Sequence, residues 1–512
     1  MNLLSFVKKN YGIILILLLS FWAIKPLFAS GFFPIHDDTQ VARVFEMGKM
    51  LGSGVFPVRW VPDLGYGYGY PIFNFYAPLA YYVGGLFMLF GFDALSATKI
   101  MMVLGIILAG VFMYLLAREF FGELGGLISG LFYIYAPYHA VDIYVRGDVA
   151  EFWAYAFIPL MFVGFYKVFQ GLMSEELEVD NSKLKIQNSK LQFKAQKYVL
   201  IGTIGYAGVI LSHNLTALMV TPFLLIFILI LSVISYKAKK IFTIYYLLFT
   251  IFLGLAISAF FWVPALLEIK NTNVMSQIGG GADFRNHFVC IGQLWNSQWG
   301  FGGSTSDCID GFSFKIGKLH IATSLAAIVI ALVIAQIRKS KKGFIVVLSS
   351  LGLIASIFFT LEASRPIWET VPAMDFFQYP WRFLLLASFF SSLLAGSLVV
   401  LLNKFKIGPY VTVFILLFFL LFFNIKLFNP QTNTSKTSQD YTGERSLKWV
   451  ASKISDEFLP PNFQKPESEF EVSKEPLPFK ETSIEKISNL VSFIGVLALI
   501  IGIIVKYGKN KR

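Results

Sequence analysis

Apolar residues in this chain come in blocks of about 15 to 25, the length a helix needs to cross a hydrocarbon core. Such blocks lie at 11–29, 95–117, 121–138, 152–169, 198–212, 215–235, 241–267, 319–337, 344–361, 382–402, 408–425 and 489–507. Inside a bilayer every backbone N–H and C=O must find its partner within the protein, so blocks of this length become helices. The sequence therefore predicts an all-α integral membrane protein of twelve transmembrane helices joined by some long extracytoplasmic loops. Composition closes off the soluble alternative. Of 512 residues, 56% are hydrophobic and only 14% charged, against about 25% charged in an ordinary soluble domain. A water-soluble body of this size has no interior large enough to hide that excess.

The net charge of +12 is read by position, because cytoplasmic loops collect Lys and Arg. The first block follows Lys8 and Lys9 and is followed by Phe32, Phe33 and Pro34 rather than a small-residue cleavage site, so it reads as a signal anchor. The segments then placed inside carry Arg118; Lys183, Lys185, Lys190, Lys194 and Lys197; and Lys237, Lys239 and Lys240. Further along come Arg338, Lys339, Lys341 and Lys342; Lys404 and Lys406; and Lys506, Lys509, Lys511 and Arg512. A miscounted span would scatter these clusters to both sides. The pattern points to a multi-pass protein of a bacterial inner membrane with both termini cytoplasmic. The charge is a topology signal, and nucleic acid is not expected as a partner.

Three outside segments are long: the first outside loop at 30–94, the second at 268–318, and 426–488, which is rich in Lys, Glu, Ser and Pro. The last reads as a small appended domain or a partly disordered arm. This divides the chain into a transmembrane domain at 1–425, the polar arm, and a final helix with a basic tail at 489–512; 170–197 is a polar inside connector. The 14 residues of 77–90 are too few to span comfortably and read as a helix lying in the outer interface. No inverted repeat of the transporter kind is visible.

Chemistry concentrates outside. Cys290 and Cys308 share the second outside loop and read as a disulfide rather than a zinc site, since no CxxC or histidine cluster accompanies them. Acids sit at the outer ends of spans: Asp37 and Asp38 beside His36, then Asp142, Asp148 and Glu151 around Arg146. Ionised groups next to lipid are costly unless they face a cavity or a partner. Two readings stand for each. Asp37 or Asp38 either caps the amphipathic helix that follows, in which Val41, Val44, Phe45 and Leu51 alternate with Arg43, Glu46 and Lys49, or serves chemistry. Arg146 is either an interface salt-bridge partner of Asp142 or Asp148, or a functional cation. The stretch PVRWVPDLGYGYGYPIFNFYAP at 57–78 is either an aromatic belt or a platform for sugar rings or an isoprenoid chain.

Taken in order, these features resemble a known class. An acidic pair after the first span, a long first outside loop with an interfacial helix, a span running from FGFDALSATK to LAREFFG, the segment GLFYIYAPYH and a second outside acid resemble the GT-C integral-membrane glycosyltransferases. More narrowly, the chain resembles a bacterial membrane-protein group labelled 6-pyruvoyl-tetrahydropterin synthase-related. The matching stretches are HDD at 36–38, YVRGDVAEFWA at 144–154, LSHNLTAL at 211–218, QLWNSQWGFGGS at 293–304, FSFKIGKLHI at 312–321, QYPWRFLLLAS at 378–388 and, more loosely, EFLPPNF at 457–463. Pterin chemistry is not implied, because that soluble enzyme needs a three-histidine zinc site and the five histidines here are scattered.

The resemblance implies a sugar taken from a polyprenyl-phosphate-linked donor and passed to a cell-envelope acceptor at the outer face. It implies Asp37 or Asp38 as the catalytic base, and Asp148 with Glu151 as the acceptor-binding or metal-binding acids. Arg146, His213 and Arg382 would meet the donor phosphate. No cofactor is required outright, with Mg or Mn as the divalent cation of the metal-dependent branches. The lipid bilayer and the lipid-linked donor are the expected partners. The rival class is a non-enzymatic polytopic protein, either a lipid or polysaccharide transporter or an assembly scaffold. A transporter should carry ionisable or Gly/Pro-broken positions at mid-membrane, whereas the acids here lie at the outer ends of spans.

Overall fold

The computed structural model of the chain describes residues 3–173, 189–277, 282–334 and 340–509. Most of the expected inside connector, with Lys183 and Lys185, lies outside these residues, as do Arg338, Lys339, Lys511 and Arg512. A helix stands at every apolar block. In chain order these are α1 (Leu3–Leu19), α2 (Gln40–Gly52), α3 (Leu79–Leu89), α4 (Ala94–Ile134), α5 (Val149–Met173) and α6 (Ser189–Ser212), where α2 and α3 belong to the first outside loop. There follow α7 (Asn214–Lys237), α8 (Ile241–Leu267), α9 (Lys318–Val333), α10 (Lys341–Thr360), α11 (Leu384–Leu401), α12 (Pro409–Asn424) and α13 (Ser483–Lys509). Among the described residues, eight helices are long and apolar enough to cross a membrane, and the bent pair 10–28 makes a ninth. The expected spans at 198–212 and 319–337 fall on shorter apolar helices. The chain is a multi-pass membrane protein with an all-α architecture.

Two expected spans merge in α4. Its 41 residues would reach about 60 Å if straight, twice the thickness of a hydrocarbon core. The run breaks at Gly122, where φ is 75° and ψ is −178°, a conformation open essentially to glycine alone. The two halves fold back on each other. A Cβ on Gly130 would stand 2.7 Å from the Gly110 carbonyl oxygen, and one on Gly110 would stand 2.3 Å from Ile134. Nothing lies within 4 Å of a Cβ at Gly122 itself, so Gly122→Ala adds no clash. Its expected cost is backbone strain alone, about 1–3 kcal/mol, read as a lower thermal midpoint of the purified protein in detergent. An unchanged midpoint would show that the turn relaxes.

Small residues also set the α5–α6 contact, where a Cβ on Gly164 would lie 2.3 Å from Gly202. Lipid drives helix association far less than water does, so close backbone approach takes over. The 77–90 segment forms α3, which packs against α2 through Gly84 on Val44 and Gly85 on Met47.

The polar arm lies on the first outside loop. Phe32 and Thr434 exchange backbone hydrogen bonds of 3.2 and 2.7 Å, and the Ser473 and Leu477 amides donate to the Tyr66 and Tyr68 carbonyls at 2.9 and 2.8 Å. The arm explains the Gly–Tyr repeat. Tyr66 packs on Trp449 and Phe463 and donates to Asp456 at 2.9 Å, while Tyr70 lies against Phe458. Tyr66 and Tyr70 are buried, so the open-platform reading fails for them: their ring faces meet protein.

Helix α2 also departs from expectation. Arg43 and Glu46, read as its polar face, are 4% and 0% exposed. The reason is tertiary, since the arm covers that side and Ser455 accepts from Arg43 Nη2 at 3.0 Å. Neither aspartate caps the helix. The N-cap residue is Thr39, with no side-chain cap, because Asp38 is drawn to Lys436 at 3.3 Å and Asp37 turns inward. Cys290 and Cys308 are disulfide-bonded across 18 residues of the second outside loop.

Candidate active site at one end of the bundle

Between α4 and α5 the chain makes a short helix, Pro137–Val141, then a wide π-type turn, Asp142–Arg146, and a left-handed residue at Gly147. Such turns recur at functional sites. Glycine is required at 147 on two grounds: φ is +64°, and a Cβ there would sit 2.5 Å from Ile35. That closeness lets the acidic pair after the first span dock on this turn. The His36 and Asp37 amides donate to the Val145 and Arg146 carbonyls at 3.0 Å each, and Gln40 Nε2 donates to the Gly147 carbonyl at 2.8 Å. Residues more than a hundred positions apart are thereby held edge to edge.

Arg146 is the hub. It is buried, with Nη1 2.6 Å from Asp142 and 2.9 Å from Glu151, and Nη2 2.7 Å from Asp148. Nη1 also donates to the Tyr138 hydroxyl at 3.1 Å, and the guanidinium lies 4.7 Å from the Trp381 ring centre. The Tyr138 hydroxyl donates in turn to Glu151 at 2.5 Å. Arg146 therefore has little left to offer a phosphate. Arg382 differs. Its Nη1 is 3.5 Å from Glu151, yet Nε and Nη1 are buried with no hydrogen-bond partner among the described residues. The side chain turns inward beside Tyr379 and Trp381 instead of reaching for water.

His213 precedes α7, and its Nδ1 pairs with the Thr216 hydroxyl at 2.8 Å rather than with a helix amide. Expected at the phosphate, it stands with the carboxylates: ligand atoms of Asp148, Glu151 and His213 all lie within 4.8 Å of one another. Burial pushes the imidazole pKa down, with Asp148 and Glu151 pulling the other way. An imidazole with two carboxylates suits a hard or borderline divalent cation such as Mn or Mg. Asp142, Asp148 and Glu151 touch the guanidiniums of Arg146 and Arg382, and Asp37 and Arg43 lie beside them.

Asp37 is half-buried, and among the described residues its carboxyl has no hydrogen bond or ion pair. Burial and the nearby Asp148 raise its pKa to about 6, against the pull of Arg146, Arg43 and Arg382. Asp148 goes the other way: burial opposes ionisation, but Arg146, His213 and Arg382 hold it down at about 2. Asp38, expected as an equal candidate, lies apart, paired to Lys436 on the arm.

The structure thus brings together Asp37, Arg146, Asp148, Glu151, His213 and Arg382 and leaves Asp38 outside. It adds Tyr138, Trp381 and Arg43, which the sequence offered no reason to select. Arg43, a polar-face position of the amphipathic pattern, lies over the Tyr76 ring at 4.3 Å, with Nε buried and without a hydrogen-bond partner among the described residues.

No known protein-family profile matches the chain. A curated relative, an uncharacterized protein of Lactococcus lactis subsp. cremoris (strain MG1363), is 25% identical over 278 residues, 52% of this chain and 41% of that protein. Among solved structures, the apo oligosaccharyltransferase of Archaeoglobus fulgidus aligns with a TM-score of 0.51 at 14% identity, covering 95% of this chain and 64% of that one. The same organism's oligosaccharyltransferase in complex with an inhibitory peptide and a dolichol-phosphate gives 0.52 at 15% identity, covering 93% and 62%. The fold is a GT-C-like helical bundle. The likeness at these identities concerns the fold, and the chain spans less than two thirds of each of these proteins. Within the GT-C bundle, the acidic cluster lies where α5, α7 and α11 begin.

Proposed function

We propose that this protein transfers a sugar from a polyprenyl-phosphate-linked donor to a cell-envelope acceptor, at the outer face of a bacterial inner membrane with both termini cytoplasmic. One observation carries the reading. Asp37, a half-buried carboxyl with no hydrogen bond or ion pair among the described residues, stands beside three residues able to hold a cation and a buried arginine, Arg382, with donors unspent among those residues.

The chemistry follows from those parts. Asp37 accepts the proton of the acceptor hydroxyl as that oxygen bonds to the sugar's anomeric carbon. The bond from that carbon to the phosphate oxygen breaks, and the polyprenyl phosphate leaves with the electron pair. Arg382 donates to the phosphate, where charge develops. Arg146 positions Asp148 and Glu151 and does not itself reach substrate. Asp148, Glu151 and His213 would hold a divalent cation, which supplies further neutralisation of the leaving phosphate. The complex of the Archaeoglobus enzyme with a dolichol-phosphate supports a lipid phosphate as the donor's carrier.

The test is direct. The purified full-length chain is incubated with undecaprenyl phosphate carrying a radiolabelled sugar and with envelope fragments, and label leaving the lipid phase is measured. Transfer should require a divalent cation, vanish in EDTA and return with Mn or Mg. Asp148→Asn should weaken that rescue, because second-sphere and ligand losses typically cost about 10–100-fold in metal affinity or activity. Failure of every lipid-linked sugar to react would sink the proposal.

A further inference from the structure

A groove of about 300 Å³ runs between α4, α5, α7, α10 and α11, lined by Phe120, Phe162, Phe227, Ile345 and Phe390 among others. It lies far from the acids. Phe162 comes thirteen residues after the first residue of α5 and Phe227 thirteen after the first of α7, about 20 Å along helices that start at the acidic cluster. In a core of about 30 Å, that places the groove in the opposite half of the membrane. Ile226 and Leu351 on its lining are exposed, so it opens to the bilayer, where the available occupant is a lipid chain.

The end farther from the acids is polar in a specific way. Lys341 opens α10 one turn before Ile345, with Nζ 4.9 Å from the Tyr166 ring centre. The Tyr166 ring is 4.6 Å from that of Phe120, on the groove wall. Lys341 makes no ion pair among the described residues. Tyr166 is 3% exposed, and its hydroxyl has no hydrogen-bond partner there. An ammonium and a buried hydroxyl, both without an ion-pair or hydrogen-bond partner among the described residues, at the end of an apolar groove match one ligand chemistry, a phosphate on acyl chains.

We propose that this groove binds one anionic phospholipid of the leaflet opposite the candidate active site, an acyl chain in the groove and the phosphate at Lys341 and Tyr166. The inference rests on the membrane bundle and not on sugar transfer, so either reading can fail alone. The full-length chain is reconstituted in phosphatidylcholine vesicles containing a little phosphatidylglycerol with a diazirine at the chain end, and cross-linked peptides are mapped. Label should fall on α10 and α11, and Ala355→Leu, which fills the groove, should abolish it. Lys341→Gln alters an exposed side chain and should cut labelling about fivefold without unfolding the protein. Equal labelling of both variants and the native chain, or of the native chain by a phosphatidylcholine probe, would overturn the proposal. Displacement by excess undecaprenyl phosphate would overturn it too, giving the groove to the donor's chain.

Discussion

Asp37→Asn should lower sugar transfer by about 10²–10⁴-fold, the range for losing a positioned general base, while Asp38→Asn stays within about threefold of the native rate. The contrast is the informative part. The two residues are neighbours, both aspartates and equally close to the first span. They differ in direction. Asp37 faces the acidic cluster with no side-chain partner among the described residues, whereas Asp38 forms an ion pair with Lys436 at the arm. Asparagine keeps the shape and removes the ability to take a proton, so the fold should survive in both. The measurement is the initial rate of label transfer at saturating donor, with donor binding followed separately. A large loss in Asp38→Asn with a small one in Asp37→Asn would reverse the assignment and detach catalysis from the cluster.

The second large effect is on folding. Arg146→Met should destabilise the acid-bearing end of the bundle by about 3–5 kcal/mol, the usual result of removing one partner from a buried ionic group. Asp142, Asp148 and Glu151 would keep their burial and lose the guanidinium that each touches within 3 Å. Arg146→Lys should rescue little, because one ammonium does not replace a fork that meets three carboxylates and a tyrosine. Thermal unfolding in detergent, with protease resistance of the first outside loop, reads the loss. Adding Asp142→Asn to Arg146→Met should recover part of it by removing an uncompensated charge. If Arg146→Met melts like the native protein, the network is wet rather than buried.

How much was legible beforehand follows the range of the interactions. Transmembrane segments announce themselves because lipid imposes a local rule, a long apolar run with internal hydrogen bonding, and a run of residues satisfies it unaided. The acids were legible for a related reason, since charge beside lipid is too costly to be casual. The hairpin within α4 was visible as two blocks, and its turn lies at LAREFFG, where Gly122 supplies the break. Arg43 was misjudged for the opposite reason. Its solvation depends on Ser455 and the arm, some four hundred residues away, and no periodicity within α2 carries that information. The tyrosines of the Gly–Tyr repeat were left open on the same account.

Sequence alone thus determined the class, a multi-pass all-α membrane protein with acids gathered at the ends of its spans, because solvent preference acts on each segment separately. Only the tertiary structure set Asp37 beside the acidic cluster and Asp38 beside Lys436, brought His213 to the carboxylates, and surrounded Arg146 with three of them. Those outcomes depend on two backbone hydrogen bonds between 36–37 and 145–146 and on a left-handed Gly147 that admits Ile35. Contacts of that kind join distant segments, and only the packed chain brings them within range.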